Sequence, residues 1–549
     1  MTTSSTDSSS TSNAPARRLR AAARTTAQWL AHHQLIIVFL VAAFLMRFFL
    51  ADVNSYWNDE ILSVVIYGAG NETVVDAIRK LANNSIHPPL YQFLLYNWML
   101  VFGDVETATR SLSNLYVTLA GLFLYLTVNI HWSRRTAFFA AAAFSITNLT
   151  IQYGLETRSY AQTILLVSIS SYVLIRTLSA MAKDQNWSLR SHWFSILVLI
   201  GANTALTLTH YYNLFWLLAQ ALFALVFLIV ELPRDLWIRG AITFVAVFAA
   251  APVLFSIVWG WVFFPQFRTR AEEYQVDEAA ARTPIHLLYN SLFDPNVSGG
   301  LIGSIIVSVL ISALTVAVIV RIARSRRGAR DLNDWGVIHL TWWLVMPLVV
   351  VYLVFTVLSV ERYQIRYFIF SLPPLTALVV IAIGGLVVLI GRRVRALGTN
   401  TATTIAMTLA AIVAFVPGGY VGATDGKTDW RGNTQRILSI MESDPANDYF
   451  LIETSFGSSP RSDYYFARFS DEVRVDAALP TRAERNGEFP DLAEQLETEN
   501  PDRVIVIFNH LTTSRFPNLL EYLDENYDRV TAQFDGGGRA GYVMFERTD

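Results

Sequence analysis

Pro88-Pro89-Leu90-Tyr91-Gln92-Phe93-Leu94-Leu95-Tyr96-Asn97-Trp98-Met99-Leu100-Val101-Phe102 decides the topology, because every later loop changes side if this apolar stretch crosses a membrane. Other apolar segments of bilayer-spanning length recur at 34–50, 110–130, 136–150, 160–181, 193–209, 212–231, 239–259, 301–321, 336–358, 367–391 and 402–419. They suit a hydrocarbon core about 30 Å thick. Loops on the cytoplasmic side carry the excess of Lys and Arg, and this rule settles the ambiguous stretch. If 88–102 lies at the interface, Arg134, Arg135, Lys183, Arg190, Arg234 and Arg239 fall on the side of the basic N-terminus. The run Arg321, Arg324, Arg326, Arg327, Arg330 and the cluster Arg392, Arg393, Arg395 fall there too. The expected fold is a polytopic α-helical membrane protein with about eleven spans, the N-terminus inside and the C-terminus outside.

Composition agrees. The chain of 549 residues is 53% hydrophobic and only 16% charged, against about 25% charged in soluble domains, so much of it faces lipid. A net charge of -2 argues against a nucleic-acid partner. Without cysteine there is neither a disulfide framework nor a thiolate metal site. The first 33 residues read as a disordered basic cytoplasmic tail. Arg17, Arg18, Arg20 and Arg24 precede the first apolar run with no small-residue cleavage site after it, as in a retained signal anchor.

The parity collects polar candidates on the outer side. Asp52-Val53-Asn54-Ser55-Tyr56-Trp57-Asn58-Asp59-Glu60 follows the first span directly, and ionisable residues at membrane depth mark function by default. Asp52 alone also reads as an interfacial cap. The first outer loop, 51–109, contains a surface helix in which Val74, Val75, Ile78 and Leu81 alternate with Asp76, Arg79 and Lys80 at helical spacing. It then turns at His87-Pro88-Pro89 into a segment rich in interfacial aromatics. The outer side also holds Glu156, Arg158, His210, Tyr211, Arg362 and Arg366, and a mixed-charge loop at 260–298 that reads equally as a lid or a plain connection.

From about residue 420 the composition becomes that of a soluble domain. Strand-like runs at 448–454, 502–508, 529–534 and 542–546 alternate with amphipathic helices near 432–441, 492–498 and 519–527. A small α/β domain with an at least partly parallel sheet is expected over 420–549, outside the cytoplasm, beyond a membrane domain at 34–419. Asp535-Gly536-Gly537-Gly538 lies between two strands and reads as a hairpin turn, not a phosphate-binding loop.

In order, Asn58-Asp59-Glu60, His87-Pro88-Pro89-Leu90-Tyr91, Glu106 with Arg110, Glu156-Thr157-Arg158-Ser159-Tyr160-Ala161 and His210-Tyr211-Tyr212 resemble the polytopic glycosyltransferases of the GT-C superfamily. The likeness is to glycosyltransferase family 39, with its protein O-mannosyltransferases and lipid A aminoarabinose transferases. It extends through Arg366-Tyr367 to Lys427-Thr428-Asp429-Trp430-Arg431. The resemblance implies an inverting transfer from a polyprenyl-phosphate sugar on the non-cytoplasmic face of the cell's inner (plasma) membrane. The acceptor would be a lipid, polysaccharide or protein. Asp59 then stands at the catalytic aspartate, with Glu60 beside it to orient the acceptor or help hold a cation.

An acceptor hydroxyl needs a base, which a carboxylate supplies. The departing phosphate needs fixed cations, for which Arg158, Arg362, Arg366, Lys427 and Arg431 are the candidates. Arg158 also reads as a partner for Glu156, and Arg362 and Arg366 as side chains reaching the interface. His87, Tyr91, Glu156, His210 and Tyr211 are the substrate-binding candidates. Asp59, Glu60 and His87, with Glu156, also offer an oxygen-rich or mixed donor set for a divalent cation. The alternative function is a transporter or flippase of a lipid-linked envelope precursor. Against it, no pair of Gly/Pro-broken helices occupies corresponding halves.

Overall fold

The computed structural model describes residues 14–85, 87–183, 189–270, 300–324, 332–358, 365–393, 429–455, 462–480, 490–509, 516–534 and 540–547. Among the described residues, six helices are long and apolar enough to cross a membrane. They are Glu106–His131, Tyr160–Lys183, Asn213–Glu231, Leu236–Gln266, Asn333–Val354 and Phe368–Val387. Helices also run over Leu189–Thr207 and Gly300–Arg324. The expected span at 402–419 lies outside the described residues.

Three expectations change. The segment 136–150 is not one span: it is the helix Arg134–Ser145 followed by Asn148–Gly154. Thr147 interrupts it by turning its hydroxyl onto Phe144 O at 3.0 Å and Thr150 Oγ1 at 2.8 Å, a local bonding that competes with the helix. Residues 14–33, expected to be disordered, belong to the helix Ala14–Phe49, consistent with an alanine- and arginine-rich sequence of high helix propensity. The outer loop expected at 260–298 begins helical, because the helix Arg234–Arg270 continues through Pro265; residues 271–298 lie outside the description.

Leu90–Phe102 is a helix of 13 residues, about 20 Å long at 1.5 Å per residue and too short to cross. Leu90 N donates to Leu208 O at 3.0 Å, fixing its start against the end of Leu189–Thr207. Its inner face, Tyr91, Leu95 and Met99, packs with Tyr56, Ile61 and Val64. Tyr56 precedes a short turn, Asn58–Ile61, that widens into a π-helical segment, Leu62–Ala69, and these two hold Ile61 and Val64. The wide turn leaves carbonyls to be met from outside, and Gln92 Nε2 donates to Ser63 O at 2.8 Å and Tyr67 O at 2.7 Å. The surface helix Val74–Asn84 starts on a Thr73 N-cap: Asp76 N donates to Thr73 Oγ1, and Thr73 Oγ1 to Asp76 Oδ2.

Beyond the membrane helices, β1 (Tyr449–Ser455), β2 (Ala477–Pro480), β3 (Arg503–Asn509), β4 (Tyr527–Phe534) and β5 (Ala540–Arg547) form one sheet of order β2-β1-β3-β5-β4. β1 runs parallel to β2 and β3, and β5 antiparallel to β3 and β4. Side chains alternate faces. Phe450, Ile452, Val504, Val506 and Phe508 pack under Leu519 and Leu523 on one side, while Leu451, Ile505, Ile507 and Met544 meet Ile437, Leu438 and Phe466 on the other. The hairpin turn expected at 535–538 lies outside the described residues.

Candidate functional site

The site forms where residues 51–63 meet the loop at 155–160, and the two neighbouring acids there have opposite surroundings. Glu60 is fully buried and takes Arg110 in a forked pair, Nε to Oε1 at 2.9 Å and Nη2 to Oε2 at 2.7 Å. Thr157 N donates to Oε1 at 2.7 Å and Trp57 N to Oε2 at 3.2 Å. Arg110 donates its remaining N–H groups to Ala51 O, Asn54 O and Ser55 O, at 2.6, 2.6 and 3.0 Å. Every guanidinium donor is used. Glu60 was expected beside Asp59 in catalysis or around a cation; its lone pairs are instead committed to holding the 51–60 turn.

Asp59 points the other way and keeps 20% of its side chain exposed. Its Oδ2 lies 3.2 Å from Arg366 Nη1 and 3.8 Å from Arg158 Nη2. Arg158 Nη1 also donates to Ser63 Oγ at 3.0 Å and to Asp59 O at 3.3 Å. Its Nη2 lies 3.0 Å from His87 Nε2. Arginine can only donate, so His87 Nε2 accepts and the ring proton sits on Nδ1. Burial, then the charge of Arg158, pushes the His87 pKa well below the usual histidine range, which keeps the ring neutral. His210, its ring 5.9 Å from that of His87, is pushed down to about 3 by burial and then by Arg158 and Arg366.

A pocket opens beside Arg158, lined by His87, Tyr91, Ser63, Ser85, Ser159 and Thr209 among others. Three of the expected substrate contacts, His87, Tyr91 and His210, thus come together around Arg158. Glu156 is buried in the same loop. Tyr211 turns away: it accepts from Trp259 Nε1 at 3.0 Å and packs on Phe263 and Phe255, and burial raises its pKa to about 12. Arg431 was expected at the donor phosphate, but its Nη2 donates to Asp52 O at 2.5 Å and its Nη1 lies 3.7 Å from Glu106 Oε1, so it joins the sheet region to the first loop. Arg362 and Lys427 lie outside the described residues.

The donor set imagined for a cation does not converge: Glu60 is held by Arg110, His87 Nε2 by Arg158, and Asp59 by two guanidinium groups. Among the described residues, no three His, Cys, Asp or Glu side chains group as ligands. The arrangement that does exist is an accessible carboxylate flanked by cations and neutral imidazoles, able to accept a proton and to hold an anion. Arg110 is a site residue that the motif with Glu106 does not single out; an arginine in a span is itself the signal. Sequence reasoning had no means of finding Tyr56 and Tyr465, which meet across 409 positions.

A family model described as dolichyl-phosphate-mannose-protein mannosyltransferase matches residues 86–261. The matched segment contains His87, Arg158 and His210, and starts after Asp59. Among solved structures, the chain is similar to ArnT from Cupriavidus metallidurans in the apo state. The identity is 12%, with 94% of this chain and 98% of that chain covered, at a TM-score of 0.52. The same protein bound to undecaprenyl phosphate aligns at 13% identity over 93% of this chain and 98% of that chain, with a TM-score of 0.50. No curated protein matches.

Proposed function

We propose that this chain, a GT-C superfamily membrane glycosyltransferase by fold and family match, moves a sugar from a polyprenyl-phosphate donor to an acceptor hydroxyl, with inversion, on the extracytoplasmic face of the inner (plasma) membrane. The observation that carries the reading is the partly exposed Asp59 carboxylate lying against Arg158 and Arg366. That one of the similar structures holds undecaprenyl phosphate supports a lipid-phosphate donor.

Asp59 takes the proton of the acceptor hydroxyl as that oxygen attacks the anomeric carbon from the side opposite the phosphate. The bond from that carbon to the phosphate oxygen breaks, and its electron pair leaves on the phosphate. Arg158 and Arg366 meet the growing charge, since a planar guanidinium fork matches phosphate oxygens. Arg362 and Lys427 are further candidates for the same phosphate. His87, Tyr91 and His210 contact substrate as neutral groups, so they orient hydroxyls without competing for the phosphate. Glu60 and Arg110 keep the Asp59 turn in place. The topology that fits puts residues 1–33 in the cytoplasm and 420–549 outside it. The acceptor is a lipid, polysaccharide or protein.

The test uses a panel of radiolabelled hexosyl and pentosyl polyprenyl phosphates with purified full-length protein. Asp59→Asn should abolish transfer of whichever donor the wild type consumes, with the fold retained. Wild-type transfer by that variant overturns the assignment of the base.

A further inference from the structure

Among the contacts that join the region carrying the sheet to the Asp59 turn, one phenol holds the backbone of Tyr56. Tyr465, on the helix Asp463–Phe469, is buried against Tyr56, Tyr91 and Trp430. Its Oη accepts from Tyr56 N at 2.7 Å and donates to Glu106 Oε1 at 2.7 Å. Tyr56 Oη in turn donates to Asp104 O at 2.8 Å and lies 2.5 Å from Thr109 Oγ1, which lies 2.9 Å from Thr157 Oγ1. The single proton of Tyr56 goes to Asp104 O, so Thr109, whose other acceptor Glu106 O is farther off at 3.4 Å, donates to Tyr56 and Thr157 donates to Thr109. The chain of hydroxyls therefore has one direction. It ends at Thr157, whose N–H holds Glu60 and whose neighbour is Arg158. Burial, reinforced by Glu106, raises the Tyr465 pKa, so this phenol stays protonated and keeps donating.

We infer that Tyr465 is a positioning residue for the proposed transfer: its hydroxyl, through Tyr56, Thr109 and Thr157, sets the register between Asp59 and Arg158. One end of the relay fixes the backbone three residues before Asp59, and the other holds the side chain of Thr157, the residue just before Arg158. A carboxylate and a guanidinium lying 3.8 Å apart are thereby aligned from a third element that touches neither. The inference rests on Asp59 and Arg158 acting as proposed above. Other contacts also cross the seam: Trp430 N donates to Ser55 Oγ at 3.0 Å, Tyr464 Oη to Asp104 O at 2.9 Å and Arg468 Nη2 to Asp104 Oδ1 at 2.8 Å. None of them bonds the backbone of Tyr56.

The experiment compares Tyr465→Phe, Thr157→Val, their double variant and Tyr464→Phe in the full chain. Readouts are donor turnover per folded protein and the affinity for undecaprenyl phosphate alone. Tyr465→Phe keeps the ring and should lower kcat about tenfold, the size of one lost hydrogen bond to a charged group, with undecaprenyl-phosphate affinity unchanged. Tyr464→Phe should stay within twofold of wild type. The double variant should be no slower than the slower single, since both cut one chain. Wild-type kcat in Tyr465→Phe, or additive losses in the double variant, overturns the relay even if melting temperature falls. Asp59→Asn separates the two levels. If it is inactive while Tyr465→Phe is normal, only the relay fails; if it is active, the reading beneath fails and takes the relay with it.

Discussion

Two carboxylate–guanidinium centres stand one residue apart. At Glu60 the pair with Arg110 is dry, forked and saturated by backbone donors and acceptors; at Asp59 the contacts to Arg158 and Arg366 are longer, unforked and open to solvent. Removing charges from water is repaid only by near-ideal geometry and full hydrogen bonding, and the Glu60 centre meets that condition. The Asp59 centre does not, which leaves its charges free to be redistributed when an anion or a hydroxyl arrives. Equal composition at adjacent positions thus divides into a part that holds and a part that can exchange partners.

The sharpest way to break this comparison is to strip the closed centre of one partner. Arg110→Met should destabilise the folded protein by about 3–5 kcal/mol, because Glu60 is left charged in a dry site. Adding Glu60→Gln should recover part of that loss; thermal unfolding in detergent measures both. At the open centre, Arg366→Ala should cost about 1.5–3 kcal/mol of transition-state stabilisation, read as a fall in kcat/KM of roughly 10- to 150-fold, while unfolding moves little.

A third prediction concerns pH. The His210 pKa in the fold, about 3, lies below its unfolded value of about 6.5. Between those values the unfolded chain binds the extra proton, so stability contributed by this ring is present above pH 6.5 and lost as pH falls towards 3. The slope is at most about 1.4 kcal/mol per pH unit for each such histidine. Unfolding measured from pH 7 to pH 4 should show it, and His210→Phe should flatten it. The smallest effect belongs to Asp59→Asn, which should change stability by less than about 1 kcal/mol because partly exposed pairs contribute little. A large loss there would erase the distinction between the two centres.

Much of this was legible in the chain. The Pro-Pro break followed by an aromatic run reads as a short helix at the interface, and the structure has a helix there, Leu90–Phe102, too short to cross. Asp59, His87, Arg158, His210 and Arg366 gathered because each follows or precedes an apolar run on the same side. Other features left no local mark. β2 is Ala-Ala-Leu-Pro, too short to show alternation. The break at Thr147 depends on where one hydroxyl turns. Glu60 could not be told from Asp59 by position, since what separates them is Arg110, fifty residues on. Arg431 carried the right charge for a phosphate, but its partners are a backbone carbonyl and Glu106, visible only once the sheet region is seated on the first loop.

That seating has a consequence in time. The Tyr56 backbone waits for a hydroxyl made 409 residues later. At a synthesis rate of about 5–20 residues per second, the interval is roughly 20–80 s. Throughout insertion, the turn bearing Asp59 lacks its far anchor, and the site is completed only when nearly the whole chain has been made.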